Sequence, residues 1–230
     1  MLDLRSVREK IYEAIKFDIL TGRLAQGERI SSMNLSERFQ VSPQPVRDAI
    51  IRLTEEGLVH VRARYGTFVT MVSKENIEDL GGAREMIEPY ALNHITKTAS
   101  SREWQLMQAA LDNMNKIIDS PHYDYLAYNN QDYEFHLALV MLAGNDTITG
   151  VYRKLHPHYV YSMVMYRHAS TMLGNHRDHT IIAKALARGD THEAESTCVA
   201  HVRYATAQLL ELMSNPSQKL PQSGSDKSYP

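Results

Sequence analysis

Apolar residues recur at helical spacing through most of the chain. Leu4, Val7, Ile11, Ile15 and Ile19 step by three and four, which predicts an amphipathic helix over 4–21 able to cover a neighbour. Gly22 and Gly27 then break the chain. Asn34 is placed to cap a short helix holding Leu35 and Phe39, and Val41 makes a turn. Ser42 then caps a second helix with Pro43 at its first position. There Val46, Ala49, Ile50 and Leu53 form a stripe, Gln44, Arg47 and Asp48 stay polar near the N-terminal end, and Gly57 closes the helix. The period then changes to two. Val59 and Val61 alternate with His60 and Arg62, Arg64-Tyr65-Gly66 makes a turn, and a second strand runs from Thr67 to Met71. Short helix, turn, capped helix and glycine-tipped hairpin together read as a winged helix-turn-helix.

Ser73 is positioned to cap the next helical pattern, which places a domain boundary at Val72-Ser73. Helices are predicted over 74–98, 102–118, 124–143, 147–168, 171–188 and 191–213. Pro121, Gly144-Asn145 and Gly189-Asp190 separate them, and Pro157 kinks or splits the fourth. The fold class is therefore mainly α: a winged helix-turn-helix over 1–72, then an all-α helical bundle over 73–214. Residues 215–230, NPSQKLPQSGSDKSYP, have no apolar stripe and are predicted to be a disordered tail.

Charge supports that division. Residues 1–72 hold 11 Lys or Arg against 9 Asp or Glu, the remainder 14 against 18, and the whole chain is at −2. A mildly basic patch on an acidic body suits local contact with double-stranded DNA rather than indiscriminate coating. A recognition helix and wing would place Ser42, Gln44 and Arg47 near bases, and Arg38, Tyr65 and Gly66 near the backbone or minor groove. One such helix reads too few bases, which predicts a homodimer on a two-fold symmetric operator. The single cysteine, Cys198, rules out an internal disulfide and points to a reducing compartment. The apolar runs are far short of the roughly 20 residues that span a bilayer, so no membrane segment is expected, and the cytoplasm is.

The candidate chemistry lies in the bundle. Asp132 and His136 are four apart and share a helix face. His179 precedes Gly189 and His201 follows Asp190 by similar distances, so on two antiparallel helices each imidazole stands on the order of 15 Å from the turn. Three imidazoles and a carboxylate suit a divalent transition metal, zinc first, with nickel or manganese as options, and with a coordination position left open. The alternative is that each of these histidines is satisfied separately in core or surface. Arg84 either pairs with Glu88 four residues on or faces a cavity.

Val41, Ser42 and the run Pro45 to Ala49 resemble the winged helix of GntR-type transcription regulators. Pro43 and Met33 stand where many members carry arginine. The bundle resembles the FCD effector domain of the FadR-type branch through Arg84, Glu85 to Leu92, Asp132 to His136, Ala143-Gly144-Asn145, His179, Gly189-Asp190 and His201. That resemblance implies a metal held by Asp132, His136, His179 and His201, and an Arg84 that meets the carboxylate of a small effector. The function expected is a transcription regulator whose operator binding such a metabolite modulates. A metal-dependent hydrolase or lyase with a DNA-binding appendage is the alternative, and a ligand-free architectural repressor is a third. Against the enzyme, no nucleophile elbow, HExxH helix or phosphate-cradling loop occurs, and Glu134 should face away from Asp132 and His136. The chain is therefore read as not an enzyme.

Overall fold

The computed structural model describes residues 4–95, 101–166 and 176–214. The predicted tail, residues 96–98 and the segment around Arg167 lie outside the described residues, and the helix predicted over 74–98 ends at Asn93. Helix α1 (Leu4–Leu20) buries Ile11, Ile15 and Ile19 against α3 (Pro43–Glu55), which contributes Val46, Ala49 and Leu53 to the same core. Between them lie strand β1 (Arg29–Ile30) and helix α2 (Ser32–Phe39). Strands β2 (Val59–Arg62) and β3 (Gly66–Val69) form the hairpin. β3 is central in the order β1-β3-β2, and both of its pairings are antiparallel.

Three local details differ from the sequence expectation. The cap of α2 is Ser31, whose hydroxyl accepts from the Asn34 backbone N–H; Asn34 lies inside the helix. β1, two residues long, was not anticipated, because so short a strand exists only through its partner β3. The second hairpin strand is Gly66–Val69 rather than Thr67 to Met71. Gly57 does close α3: at φ 75° its N–H reaches Thr54 O, and the Leu58 N–H reaches Leu53 O, the double bond of a Schellman end.

Ser73 caps α4 (Lys74–Asn93) in a reciprocal box with Asn76. The bundle continues with α5 (Ser101–Ile118), α6 (Tyr125–Met141), α7 (Asp146–Leu155), α8 (Pro157–Met165), α9 (His176–Ala187) and α10 (Thr191–Ser214). α5 packs on α6, and α4 packs on α10, where a Cβ at Gly81 would meet Thr206 Oγ1 at 2.5 Å. Pro157 splits the predicted 147–168 helix. His156 before it takes a left-handed φ of 43°, since proline disfavours helical backbone in the residue it follows.

Candidate metal centre and nucleic-acid interface

α6 carries Asp132 and His136 one turn apart, and α9 and α10 bring His179 and His201 to the same place. The hairpin between the last two depends on Gly189, at φ 78°, and on Asp190, whose carboxylate accepts from Glu193 N–H at 3.0 Å. One ligand atom from each of the four residues lies within 4.8 Å of the others. His179 Nε2 is 2.9 Å from Asp132 Oδ1 and 3.2 Å from His136 Nε2. The three histidines are buried.

The far side of two of these rings is held by carboxylates. His136 Nδ1 is 2.9 Å from Glu88 Oε2, and His201 Nδ1 is 3.4 Å from Asp178 Oδ2. Carboxylates behind metal-binding imidazoles fix ring orientation and leave Nε2 for the ion. Two buried Nε2 atoms 3.2 Å apart cannot both donate to each other, whereas both lone pairs can serve a cation. The donor set therefore fits a divalent transition metal. Burial, then the nearby His179, push His201 down to about 4, so its lone pair is free at neutral pH. Burial alone would raise Asp132, but His179, His136 and His201 outweigh it and hold the carboxyl below its ordinary range.

Glu88 is a hub that sequence reasoning saw only as the partner of Arg84. Its carboxylate accepts from Arg84 Nε at 2.6 Å, Tyr152 OH at 2.8 Å and Cys198 Sγ at 3.3 Å. Burial, which would raise it, is overcome by Arg84 and then His136, so Glu88 stays ionised. Burial and Glu88 hold Cys198 as a thiol in the absence of an ion, and with Glu88 and His136 it forms a second group of potential ligand atoms. His176 binds Asn115 Oδ1 at 2.7 Å. Nothing in the sequence distinguished Asp178, whose partner is on the next helix rather than beside it.

Arg84 does both things weighed for it: Nε pairs with Glu88, Nη1 donates to Tyr161 OH at 2.9 Å, and Nη2 is buried with no partner. It borders a small cavity of about 10 Å³ that Asp132, His136 and His158 also line. A second space of about 30 Å³, partly open to solvent, shares Arg84, Asn129, Asp132 and Tyr161 with the first and reaches His201. Glu134 is exposed and away from both.

On the winged helix, Ser42, Gln44 and Arg47 are exposed at the start of α3. Ser42 stands at the cap position, but its hydroxyl makes no cap bond. Pro45 fills the third helical position and has no N–H to offer, which leaves the Gln44 N–H as the one donor in reach of a cap. Gln44 donates to Asp48 at 2.7 Å, and no ion pair engages Arg47 among the described residues. Arg38 is less free, tied to buried Asp18 at 2.5 Å. Tyr65 is 72% exposed at the hairpin tip. Gly66, at φ 115°, packs under Arg29, where a Cβ would stand 2.9 Å from Nε. Arg29 and Arg64 add exposed positive charge beside this tip, which the sequence reading did not single out.

Comparison with known proteins adds the lineage. Residues 7–69 match the model of bacterial regulatory proteins, gntR family, and residues 79–204 match the FCD domain. The HTH-type transcriptional repressor RspR of Escherichia coli K12 is 28% identical over 137 residues, 60% of this chain and 59% of its own length. The chain thus spans under two thirds of that relative. The Uxu operon regulator of Haemophilus influenzae is 24% identical over 221 residues, 88% of this chain and 82% of its own. A GntR transcriptional regulator structure from Rhodococcus sp. RHA1 shares the fold at a TM-score of 0.74 and 24% identity, covering 90% of this chain and 98% of that one. Both relatives carry the names of regulators, which with the family match leaves the hydrolase or lyase alternative without support. The chain belongs to the gntR family of bacterial regulatory proteins, a family of DNA-binding transcription regulators, in the branch with an FCD domain.

Proposed function

We propose that this chain works in the cytoplasm as a homodimeric regulator, divided at Val72-Ser73, that reads an operator with its winged helix and senses a small carboxylate in its bundle. The carrying observation is the Asp132, His136, His179, His201 cluster beside the unpartnered Nη2 of Arg84. A divalent transition ion, zinc, nickel or manganese, would supply positive charge there and an open position for a carboxylate oxygen. Arg84 orients the other oxygen, and its own position is fixed by Glu88 and Tyr161. At the DNA, Ser42, Gln44 and Arg47 meet base edges, while Arg38, Tyr65 and Gly66 lie along the backbone or minor groove.

Helix α8 supplies the link between the two halves. Its His158 and Tyr161 form cavity wall, and Tyr159, between them in sequence, points the other way into the winged-helix core. Tyr159 OH donates to Glu56 Oε2 at 2.9 Å, where Tyr12 OH also donates at 2.7 Å. Glu56 is the C-cap of α3. Lys16 Nζ sits 4.6 Å over the Tyr159 ring. Gln26 ties the joint as well, donating to Met163 O at 3.1 Å and accepting from Val72 N–H at 2.9 Å. A ligand that displaces the α8 wall therefore acts on the far end of the recognition helix. Roughly 100-fold preference for one conformation, about 2.7 kcal/mol, suffices to change operator occupancy.

The test is operator affinity and thermal stability across hydroxy-, keto- and sugar acids, with and without chelator, for the native chain and Tyr159→Phe. An acid should stabilise both proteins but shift operator affinity mainly in the native one. An acid that stabilises the native protein without moving its operator affinity ends the sensing reading.

A further inference from the structure

The arginines of the winged helix fall into two sets. Arg8 pairs with Asp48, Arg23 and Arg38 with Asp18, and Arg52 with Glu9. Among the described residues no carboxylate pairs with Arg29, Arg47, Arg62 or Arg64. Arg47 belongs to the start of α3, whereas the other three gather around Gly66, and the register of the sheet explains why. Arg29 stands opposite Phe68, and Arg62 opposite Gly66, two residues away on the same strand. Alternate residues of a strand share a face, so Arg29, Arg62, Gly66 and Phe68 lie on one side of the sheet, while Ile30, Val59 and Val69 are buried on the other. Arg29 then reaches diagonally along β3: its Nε, Nη2 and Cζ lie 2.9, 3.4 and 3.6 Å from the point that a Gly66 Cβ would occupy. At φ 115° the backbone already demands glycine, and a side chain there would also expel this guanidinium. The Arg29 head is thus seated on bare backbone at the wing tip, exposed and without a counter-ion.

We propose that Arg29 is a contact to a phosphate of the DNA backbone, seated for that purpose on Gly66, and that it acts alike on every base sequence. The proposal rests on the reading that sets the wing tip against DNA, and it adds a residue to that surface. The partner follows from the chemistry. A planar guanidinium whose N–H groups have no carboxylate to meet matches two phosphate oxygens at once. Its seat on backbone lowers the side-chain entropy lost on contact. The strand that carries it is anchored by Ile30 in the winged-helix core, so the charge is held in a fixed place. Indifference to sequence follows from reach. A guanidinium held against Gly66 does not extend past Arg64 and Tyr65, which form the turn, and so meets the backbone flanking the tip instead of the floor of a groove. Arg62 and Arg64 add positive potential to the same place.

The probes are two synthetic duplexes, poly(dA-dT) and poly(dG-dC), titrated by filter binding across a range of salt with the native chain, Arg29→Gln and Arg29→Lys. Each phosphate neutralised contributes about 0.9 to the slope of log affinity against log salt. Arg29→Gln should lower that slope by about 0.9 for each chain bound and weaken both duplexes by the same factor. Arg29→Lys keeps the charge and should keep most of the native slope. Both variants should melt with the native chain, since the side chain is exposed. An unchanged slope in Arg29→Gln overturns the proposal. So does a loss confined to poly(dA-dT), which would place the side chain in the narrow minor groove of A·T sequence. Equal losses in Arg29→Gln and Arg29→Lys overturn it as well, because packing on Gly66 and not charge would account for both. Each of these defeats Arg29 alone, whereas native binding that does not weaken with salt removes the wing-tip reading along with it.

Discussion

Helices α3 and α6 carry the candidate DNA contacts and the candidate metal ligands, and they are built in opposite ways. α3 buries Val46, Ala49 and Leu53 and leaves Ser42, Gln44, Arg47 and Ile51 in water along its other side. α6 buries ten of its 17 residues, on every side, with His136 among them. A helix that meets a partner as large as DNA keeps one polar face, so its period betrays its function. A helix that builds a site inside a bundle loses that contrast, and its functional residues are visible only as polar atoms that need partners. The surface site should therefore be separable from stability, and the buried site should not.

The largest effect belongs to the buried site. The double variant His136→Ala, His201→Ala should drop metal content from one per chain to near zero, read by elemental analysis. Binding at 100 times the dissociation constant adds about 2.7 kcal/mol, so the melting temperature should fall by several degrees as well. Equal metal in the native and variant chains would remove the assignment. Arg47→Ala tests the opposite case: it should weaken operator binding about 10- to 100-fold at fixed salt, the 1 to 3 kcal/mol of a bidentate base contact, with an unchanged melting temperature. An unchanged operator affinity would mean that α3 is not the reading helix.

The same contrast governs what the sequence disclosed. α3, its proline start and its Gly57 end were readable because caps and turns are local chemistry. The four-residue cluster could be assembled because one tight turn at Gly189 fixes two long helices in register. Glu88 and Asp178 behind the imidazoles were not, since their partners lie on other helices and no spacing encodes them. β1 and the role of Tyr159 failed for the same reason: each exists through a contact across the chain. The misplaced cap at Asn34 is a different fault, as Ser31 and Asn34 are both good caps and only the backbone shows which one precedes the helix.

Acid should separate the two halves next. Partial burial holds the pKa of His158 at about 3 against an ordinary 6.5. Below 6.5 the unfolded chain takes up a proton that the folded one refuses, so stability is full above that pH and is lost as pH falls toward 3. Between pH 6.5 and 5 this histidine alone should cost about 1 to 2 kcal/mol, measured by urea unfolding of the metal-free chain. His158→Phe should flatten that profile. An equally steep decline in the variant would place the acid sensitivity elsewhere.

The smallest effect sets two serines at cap positions against each other. Ser73 accepts the Asn76 N–H at 3.2 Å and caps α4, so Ser73→Ala should cost about 1 kcal/mol of stability. Ser42 occupies the same position before α3 but makes no such bond, and Pro45, without an N–H, stands at the third helical position that Asn76 holds in α4. Ser42→Ala should leave stability within about 0.5 kcal/mol of the native chain, as for a surface change without a structural role. Its hydroxyl is instead free for a base edge or phosphate, so the loss should appear as a several-fold weaker operator complex. Urea unfolding and a labelled-operator titration on both variants measure the pair. If Ser42→Ala costs as much stability as Ser73→Ala, its hydroxyl is a cap in solution and the start of α3 is not reserved for DNA. If Ser42→Ala changes neither quantity, α3 approaches the operator by another part of its exposed face.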